Sequence, residues 1–202
     1  MLVLRSLVST LLLSPLALAP YATAVQAAPD PAPNASGAAA ANAARDGQHD
    51  FDFELGSWNI HLQKLMHPLT GSKEWVRFDG TSVTRKVWDG RSQLEEFETN
   101  GAAGRLEGLT LRLYNPQSHE WSLYWANSKV GKMDPPQIGR FRDGVGEFYG
   151  MDTLNGRTIL VRFIWSKTNS ASPHFEQAFS DDGGKTWEVN WITDQTRSEA
   201  PH

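Results

Sequence analysis

The sequence predicts an all-β protein, built as a single antiparallel up-and-down β-barrel of about 8–11 strands. Short segments in which apolar and polar residues alternate follow one another from residue 58 to residue 193. Turn-forming pairs such as Asp89-Gly90 and Asn155-Gly156 separate these segments, as in β-hairpins. The segments lack the helical period and leave no room for crossover helices, so a sandwich or a barrel remains. Closure removes exposed sheet edges, which favours the barrel.

Eleven segments qualify as strands, and the last two enclose a glycine-rich turn. The predicted strands are Trp58–Met66, Glu74–Asp79, Thr81–Trp88, Leu94–Thr99, Leu106–Tyr114, Trp121–Asn127, Gln137–Arg142, Gly146–Thr153, Thr158–Ser166, Phe175–Ser180 and Trp187–Thr193. In the final turn, Gly183 and Gly184 are expected to take positive φ angles. Trp187 is expected to begin the return strand and to fill a core site on the same face as Val189 and Trp191.

The N-terminal part of the chain predicts export rather than structure. Leu7–Ala19 is an apolar run interrupted by Pro15, and it is shorter than the roughly 20 residues of a membrane-spanning helix. Small residues precede a cleavage site after Ala27, with Ala24 as the alternative. We therefore predict a signal peptide at residues 1–27, a flexible Ala/Pro-rich tether at 28–48, the barrel at 49–197 and a disordered tail at 198–202. The predicted location is periplasmic or secreted.

The composition restricts the partners that the domain can have. The chain has 202 residues, a net charge of −4, eight tryptophans and no cysteine, so packing and hydrogen bonds must hold it together without disulfides. It has no basic run or stripe, which argues against nucleic acid or an anionic membrane as the main partner. After signal cleavage we expect no integral membrane segment. The oligomeric state stays open.

Several short motifs occur in a defined order along the chain. They are Asp52-Phe53 with Gly56 and Trp58, Leu94-Glu95-Glu96, Tyr114-Asn115-Pro116 followed by Trp121, Arg162 with Trp165, and the turn from Asp182 to Trp187. The opening resembles the start of lipocalin-like, calycin-type barrels, and the whole set resembles a secreted bacterial domain of unknown function, family 1579. The resemblance implies a calycin-type barrel in which a late arginine, here Arg197, packs on the first-strand tryptophan.

A closed barrel of this size encloses a packed core or a cavity for one small ligand. A lining of aromatic residues with a few polar groups suits a hydrophobic or amphipathic molecule, and we expect such a ligand in the interior. The candidate ligand-binding residues are Glu96, Arg112, Tyr114, Arg162 and Gln177 as polar anchors, with Trp125 and Trp165 as apolar walls. Glu96 shares a strand face with Glu98, and Glu95 lies on the other face with Phe97, so at least one acid should point inward.

Two other functions remain open. An enzyme could use Glu96 as acid or base with Tyr114 or Arg162 polarising the substrate, or the outer surface could bind another protein of the cell envelope. The sequence contains no recognisable Ser-His-Asp arrangement, activated nucleophile or glycine-rich phosphate loop, so no catalytic residue is predicted. An enzyme is therefore the less favoured interpretation. The histidines lack metal-ligand spacing, and only His174 could serve as an axial haem ligand. We predict no metal and no cofactor.

Overall fold

The computed structural model describes residues 46–199, which form a closed antiparallel barrel of ten strands in which each strand pairs with its neighbours along the chain. The strands are β1 (Gly56–Leu65), β2 (Trp75–Val87), β3 (Ser92–Gly101), β4 (Gly104–Asn115), β5 (Glu120–Asn127), β6 (Gln137–Arg142), β7 (Val145–Leu154), β8 (Arg157–Ser166), β9 (His174–Ser180) and β10 (Glu188–Arg197). Short 3-10 turns lie at Asp52–Glu54 and Trp88–Gly90. Pairing of β1 with β10 closes the ring, so the predicted all-β up-and-down barrel is confirmed.

The predicted signal peptide, most of the predicted tether and the end of the predicted tail lie outside the described residues. The last part of the predicted tether, residues 46–48, contacts the barrel, since the Gly47 carbonyl accepts a hydrogen bond from Trp121 Nε1 at 2.9 Å. Within residues 46–199, no helix is long and apolar enough to cross a membrane.

Two of the predicted strands are one strand in the structure. The segments Glu74–Asp79 and Thr81–Trp88 form β2 without interruption, because Gly80 does not mark a turn. A Cβ atom at Gly80 would lie 1.9 Å from the backbone oxygen of Glu98 on β3. Glycine is therefore required there by the close approach of two backbones, a role that sequence alone does not distinguish from a turn.

One end of the barrel is covered by residues 46–55, which precede β1; we call this segment the plug and this end of the barrel the plugged end. Phe51 is fully buried there, with its ring centroid 5.3 Å from Trp121 and 4.9 Å from Phe141. The backbone of this segment is also fixed, because Trp58 Nε1 donates to the Glu54 carbonyl at 2.8 Å. The opposite end, which we call the open end, carries the β1–β2, β3–β4, β5–β6, β7–β8 and β9–β10 loops.

The closing strand pair is held by the contact that the resemblance implies. The guanidinium carbon of Arg197, at the end of β10, lies 3.8 Å from the ring centroid of Trp58 near the start of β1. Arg197 Nη2 also donates to the Phe53 carbonyl at 2.9 Å, and Nη1 donates to the Leu55 carbonyl. The arginine thus joins the first strand, the last strand and the plug.

The final hairpin has the predicted turn but a different return strand. Gly183 and Gly184 have φ angles of 76° and 85°, as predicted. Backbone and side-chain hydrogen bonds from Thr186 hold the pKa of Asp182 well below its usual range. Trp187 precedes β10 and lies outside the barrel, 6.0 Å from the Tyr149 ring, so the prediction that it fills the core is wrong. The cause is a β-bulge at Asn190, which turns Val189 outward and Trp191 inward.

Trp187→Ala should therefore cost less stability than Trp121→Ala. Trp121 is fully buried among aromatic rings, and its removal should destabilise the protein by about 3–5 kcal/mol. Trp187 is half-buried on the outer face, and its loss should cost only about 1–2 kcal/mol through its ring and cation–π contacts. Urea titrations of both variants measure this difference. Equal losses would contradict an outer-face position for Trp187.

Candidate ligand-binding site

A cavity of about 380 Å³ lies inside the barrel, between the plug and the open end. It reaches from Arg112 at its inner end to Pro68, Asp134 and Leu154 near the open end. Its walls are mainly apolar. The aromatic residues that line it are Phe97, Tyr124, Trp125, Phe163, Trp165, Phe175, Phe179 and Trp191.

Three aromatic rings cross the barrel and form one wall of the cavity. Trp125 on β5 and Trp191 on β10 come from opposite sides of the ring of strands, yet their ring centroids are 6.0 Å apart. Phe97 contacts both, at 5.8 Å and 6.2 Å. Gly108 makes room for this wall, since a Cβ atom there would lie 1.8 Å from the Trp125 ring. Behind the wall, an apolar cluster that includes Trp58, Ile60, Leu62, Phe78 and Leu106 fills the side of β1 and β2.

The inner end of the cavity is polar, and we call its four buried side chains, Glu54, Glu95, Arg112 and Gln195, the polar floor. Arg112 Nη2 donates to Glu95 Oε2 at 2.7 Å and to Glu54 Oε2 at 3.3 Å. Gln195 Nε2 donates to Glu54 Oε1. The arginine thus makes its shorter hydrogen bond to Glu95 and its longer one to Glu54.

Glu54 is the group of the polar floor whose pKa changes most clearly. Burial raises its pKa from an ordinary value of 4.5 to about 8, the positive charge of Arg112 opposes this rise, and the neighbouring Glu95 adds to it. Near neutral pH the Glu54 carboxyl group is therefore mainly protonated, which avoids a second buried negative charge beside Glu95.

Glu54→Gln should remove a pH dependence of stability. Because the folded-state pKa lies above the unfolded one, the protonated Glu54 favours folding at low pH, and this contribution is lost as pH rises from about 5 to about 8. The slope in that window should approach about 1.4 kcal/mol per pH unit. Urea titrations across the window should show a weaker fall in stability for Glu54→Gln than for wild type.

The comparison uses the slope, because the substitution also changes hydrogen bonds at the polar floor. Glu96→Gln, on the exposed outer face, is the matched control and should keep the wild-type slope. Identical slopes for wild type and Glu54→Gln would mean that Glu54 is ionised in the folded protein.

A second polar group lies further along the cavity wall. Gln177 Nε2 donates to Asn190 Oδ1 at 2.7 Å, and both residues line the cavity. Near the open end, burial and the neighbouring Asp152 raise the pKa of Asp134. Burial and Lys129 lower the pKa of Lys64, whose Nζ lies 5.4 Å from the Trp191 ring centroid. The open end thus carries charges of both signs.

The structure brings four of the predicted ligand-binding residues to the cavity, namely Arg112, Trp125, Trp165 and Gln177. Tyr114 also points inward, but it lies at the plugged end and does not line the cavity. Its hydroxyl donates to the Asp46 carbonyl and lies 3.1 Å from His119 Nδ1. Tyr114 therefore helps to hold the plug in place.

Glu96 and Arg162 lie on the outer face, so the prediction that they bind a ligand in the interior is wrong. Glu96 is exposed, and its neighbour Glu95 points inward together with Phe97. The guanidinium carbon of Arg162 lies 4.7 Å from the centroid of the outer Trp187 ring. Strand alternation separates these residues from the lumen. The hypothetical catalytic set of Glu96, Tyr114 and Arg162 is consequently not assembled.

Sequence reasoning missed four residues of the site: Glu54, Glu95, Gln195 and Asn190. The inward position of Glu95 can be predicted from the sequence, because Glu95 has the same strand parity as Phe97. Gln195 lies beyond the predicted end of the last strand, and Asn190 turns inward only because of the bulge. Glu54 lies in a 3-10 turn before the first strand, where no periodic pattern indicates direction.

His174 does not reach the cavity. Its Nδ1 lies 2.7 Å from Asp194 Oδ1 and its Nε2 lies 3.0 Å from Glu176 Oε1, and both acids face outward. Burial opposes protonation, but the hydrogen bonds from these two acids give a net rise in the His174 pKa. Across residues 46–199, no group of three or more His, Cys, Asp or Glu side chains is arranged to hold a metal ion.

Comparison with known proteins identifies the fold. No family model matches the chain, and no curated protein matches it. Among solved structures, the S-type phycobiliprotein lyase CPES from Guillardia theta is similar, with a TM-score of 0.54 and 11% sequence identity over 76% of this chain and 93% of that chain. The chain has a lipocalin-like barrel fold. At this identity the likeness concerns the fold alone.

Proposed function

We propose that this barrel binds one small hydrophobic or amphipathic ligand in its interior. The observation that supports this proposal is a cavity of about 380 Å³ with aromatic walls and a buried, hydrogen-bonded charged pair at its inner end. Ligand sites in proteins have this character, with a mainly apolar lining of roughly 300–1,000 Å³ and a few convergent polar groups. The neighbouring lyase supports the fold on which the proposal rests and adds nothing about the ligand.

The apolar walls determine how affinity should depend on the ligand. Each methylene that leaves water for an apolar environment contributes about 0.8 kcal/mol, roughly a fourfold gain in affinity. A homologous series of ligands should therefore bind more tightly with each added carbon until the cavity is full. Further carbons would extend past Pro68 and Leu154 toward the open end and should add little.

The wild-type protein should bind the uncharged dye N-phenyl-1-naphthylamine saturably, and the dye should quench the fluorescence of Trp125, Trp165 and Trp191, which line the cavity. Val161→Phe places a larger side chain into the cavity and should weaken binding by about tenfold or more. Leu160→Phe makes the same change in size at the next position, whose side chain faces outward, and should bind as wild type does.

Two further outer-face variants complete this test. Glu96→Ala and Arg162→Ala change charged side chains outside the lumen and should leave dye affinity unchanged. A folded wild-type protein that shows no saturable response to the dye would overturn the proposal. Equal weakening by Val161→Phe and Leu160→Phe would place the dye on the outer surface.

We also infer that the protein is exported to the periplasm or secreted, and that it is related to the secreted bacterial family 1579. The short apolar run Leu7–Ala19, the small residues before Ala27 and the ordered motifs from Asp52 to Trp187 support this inference. The absence of cysteine is compatible with any redox environment.

Expression of the full chain in a bacterial host tests export. The protein should appear in the periplasmic or medium fraction with a new N-terminus after Ala27 or Ala24, as read by mass spectrometry. Substituting Leu12 and Leu13 with Arg should block the processing, because charges interrupt the apolar core. Recovery of an unprocessed wild-type chain from the cytoplasm would contradict the inference.

A further inference from the structure

The inner end of the cavity holds hydrogen-bonding groups that the protein itself leaves without partners. Arg112 Nη2 serves both carboxyl groups, whereas Nε and Nη1 have no hydrogen-bond partner among the described residues. The same is true of both amide atoms of Gln93, which lies directly opposite Arg112 in the β3–β4 pairing but, unlike Arg112, does not line the cavity. Both side chains are almost fully buried. Unpartnered polar atoms in such positions are costly, and a bound group that engages them gains affinity.

The charges at the polar floor restrict what that bound group can be. Arg112 and Glu95 form an ion pair at 2.7 Å, and Glu54 provides a second carboxyl group within reach of the same guanidinium. A ligand carboxylate would be a third carboxyl group in this buried space, with its attraction to Arg112 opposed by Glu95. A ligand ammonium group would face Arg112 directly. Neither charged head group suits the site.

An uncharged head group that both accepts and donates hydrogen bonds suits it better. Its acceptor can take a hydrogen bond from Arg112, and its donor can reach the carboxylate of Glu95, since both residues line the cavity. A primary carboxamide is the simplest head group with both functions.

We propose that the polar floor selects ligands with an uncharged, carboxamide-like head group on an apolar body, and that it discriminates against a ligand with the same apolar body and a carboxylate head group. This inference rests on the proposed function. The apolar body would lie between the Trp125–Trp191 wall and Phe163. This assigns a chemical class to the ligand, and it assigns to Arg112 and Glu95 the role of specificity-determining residues.

A ligand carboxylate could also bind at the open end, and the experiment must distinguish this position from the polar floor. Lys64 lies beside Trp191 at the cavity wall, and a fatty acid bound in the reverse direction could place its carboxylate there. Asp134 and Asp152 also lie at that end and weaken its attraction for an anion. Lys64→Met keeps the length of the apolar stem and removes the charge, so it reports on the reverse orientation.

The decisive measurement compares decanamide and decanoate as competitors for bound N-phenyl-1-naphthylamine at pH 7, with the full-length mature protein. Decanamide should displace the dye at a concentration at least about tenfold lower than decanoate. In Glu95→Gln, Arg112 loses its close counter-ion, so the preference should shift toward decanoate by about tenfold. Glu96→Gln changes the adjacent outward acid in the same way and should keep the wild-type preference.

Each result decides the question. Equal or tighter binding of decanoate by the wild-type protein overturns the proposal, and loss of that binding in Lys64→Met would place the head group at the open end. The wild-type comparison remains decisive if Glu95→Gln does not fold. Binding of the dye with no preference among head groups overturns this inference alone. Absence of any saturable dye binding overturns the proposed function, and this inference with it.

Discussion

The plug, residues 46–55, closes one end of the barrel and determines what lies inside. Phe51 and Glu54 are fully buried, although they precede the first strand. The phenyl ring completes the aromatic cluster at that end, and the carboxyl group meets Arg112 and Gln195. Without the plug, those rings would face water and the lumen would be open at both ends. Arg197 therefore has a role beyond strand closure, because it holds the Phe53 and Leu55 carbonyls against the barrel.

The polar floor costs stability that a purely apolar interior would not. Burial of an arginine with two carboxyl groups requires desolvation of all three, and the protonation of Glu54 reduces but does not remove that cost. Replacement of such clusters by apolar residues is often neutral or stabilising. Folding stability alone therefore does not explain why this cluster lies beside the cavity. The same reasoning applies to the Gln177–Asn190 amide pair, which places polar groups in an otherwise apolar wall.

The sequence was sufficient to predict most of the fold because strand alternation and glycine-containing turns are local signals. It was insufficient where a contact with another strand or an irregular backbone determined the role of a residue or the side to which its side chain points. Gly80 separates two predicted strands but is a point of close backbone contact with Glu98. The prediction places Glu96 in the cavity, whereas Glu95, which has the same strand parity as Phe97, is the acid that points inward. Glu54 gave no signal at all, since a 3-10 turn before the first strand has no periodicity to indicate which side faces inward.

The β-bulge at Asn190 shows how an irregular strand keeps a cavity open inside the barrel. With unbroken alternation from Trp191, the side chains of Val189 and Trp187 would also point inward and would fill the lumen at the open end. The bulge turns both outward and admits the smaller, polar Asn190 in their place. Gly108 also contributes, since its missing side chain leaves room for the outer edge of the Trp125 ring. The cavity therefore depends on one irregularity of strand structure, the bulge at Asn190, and on one missing side chain, at Gly108.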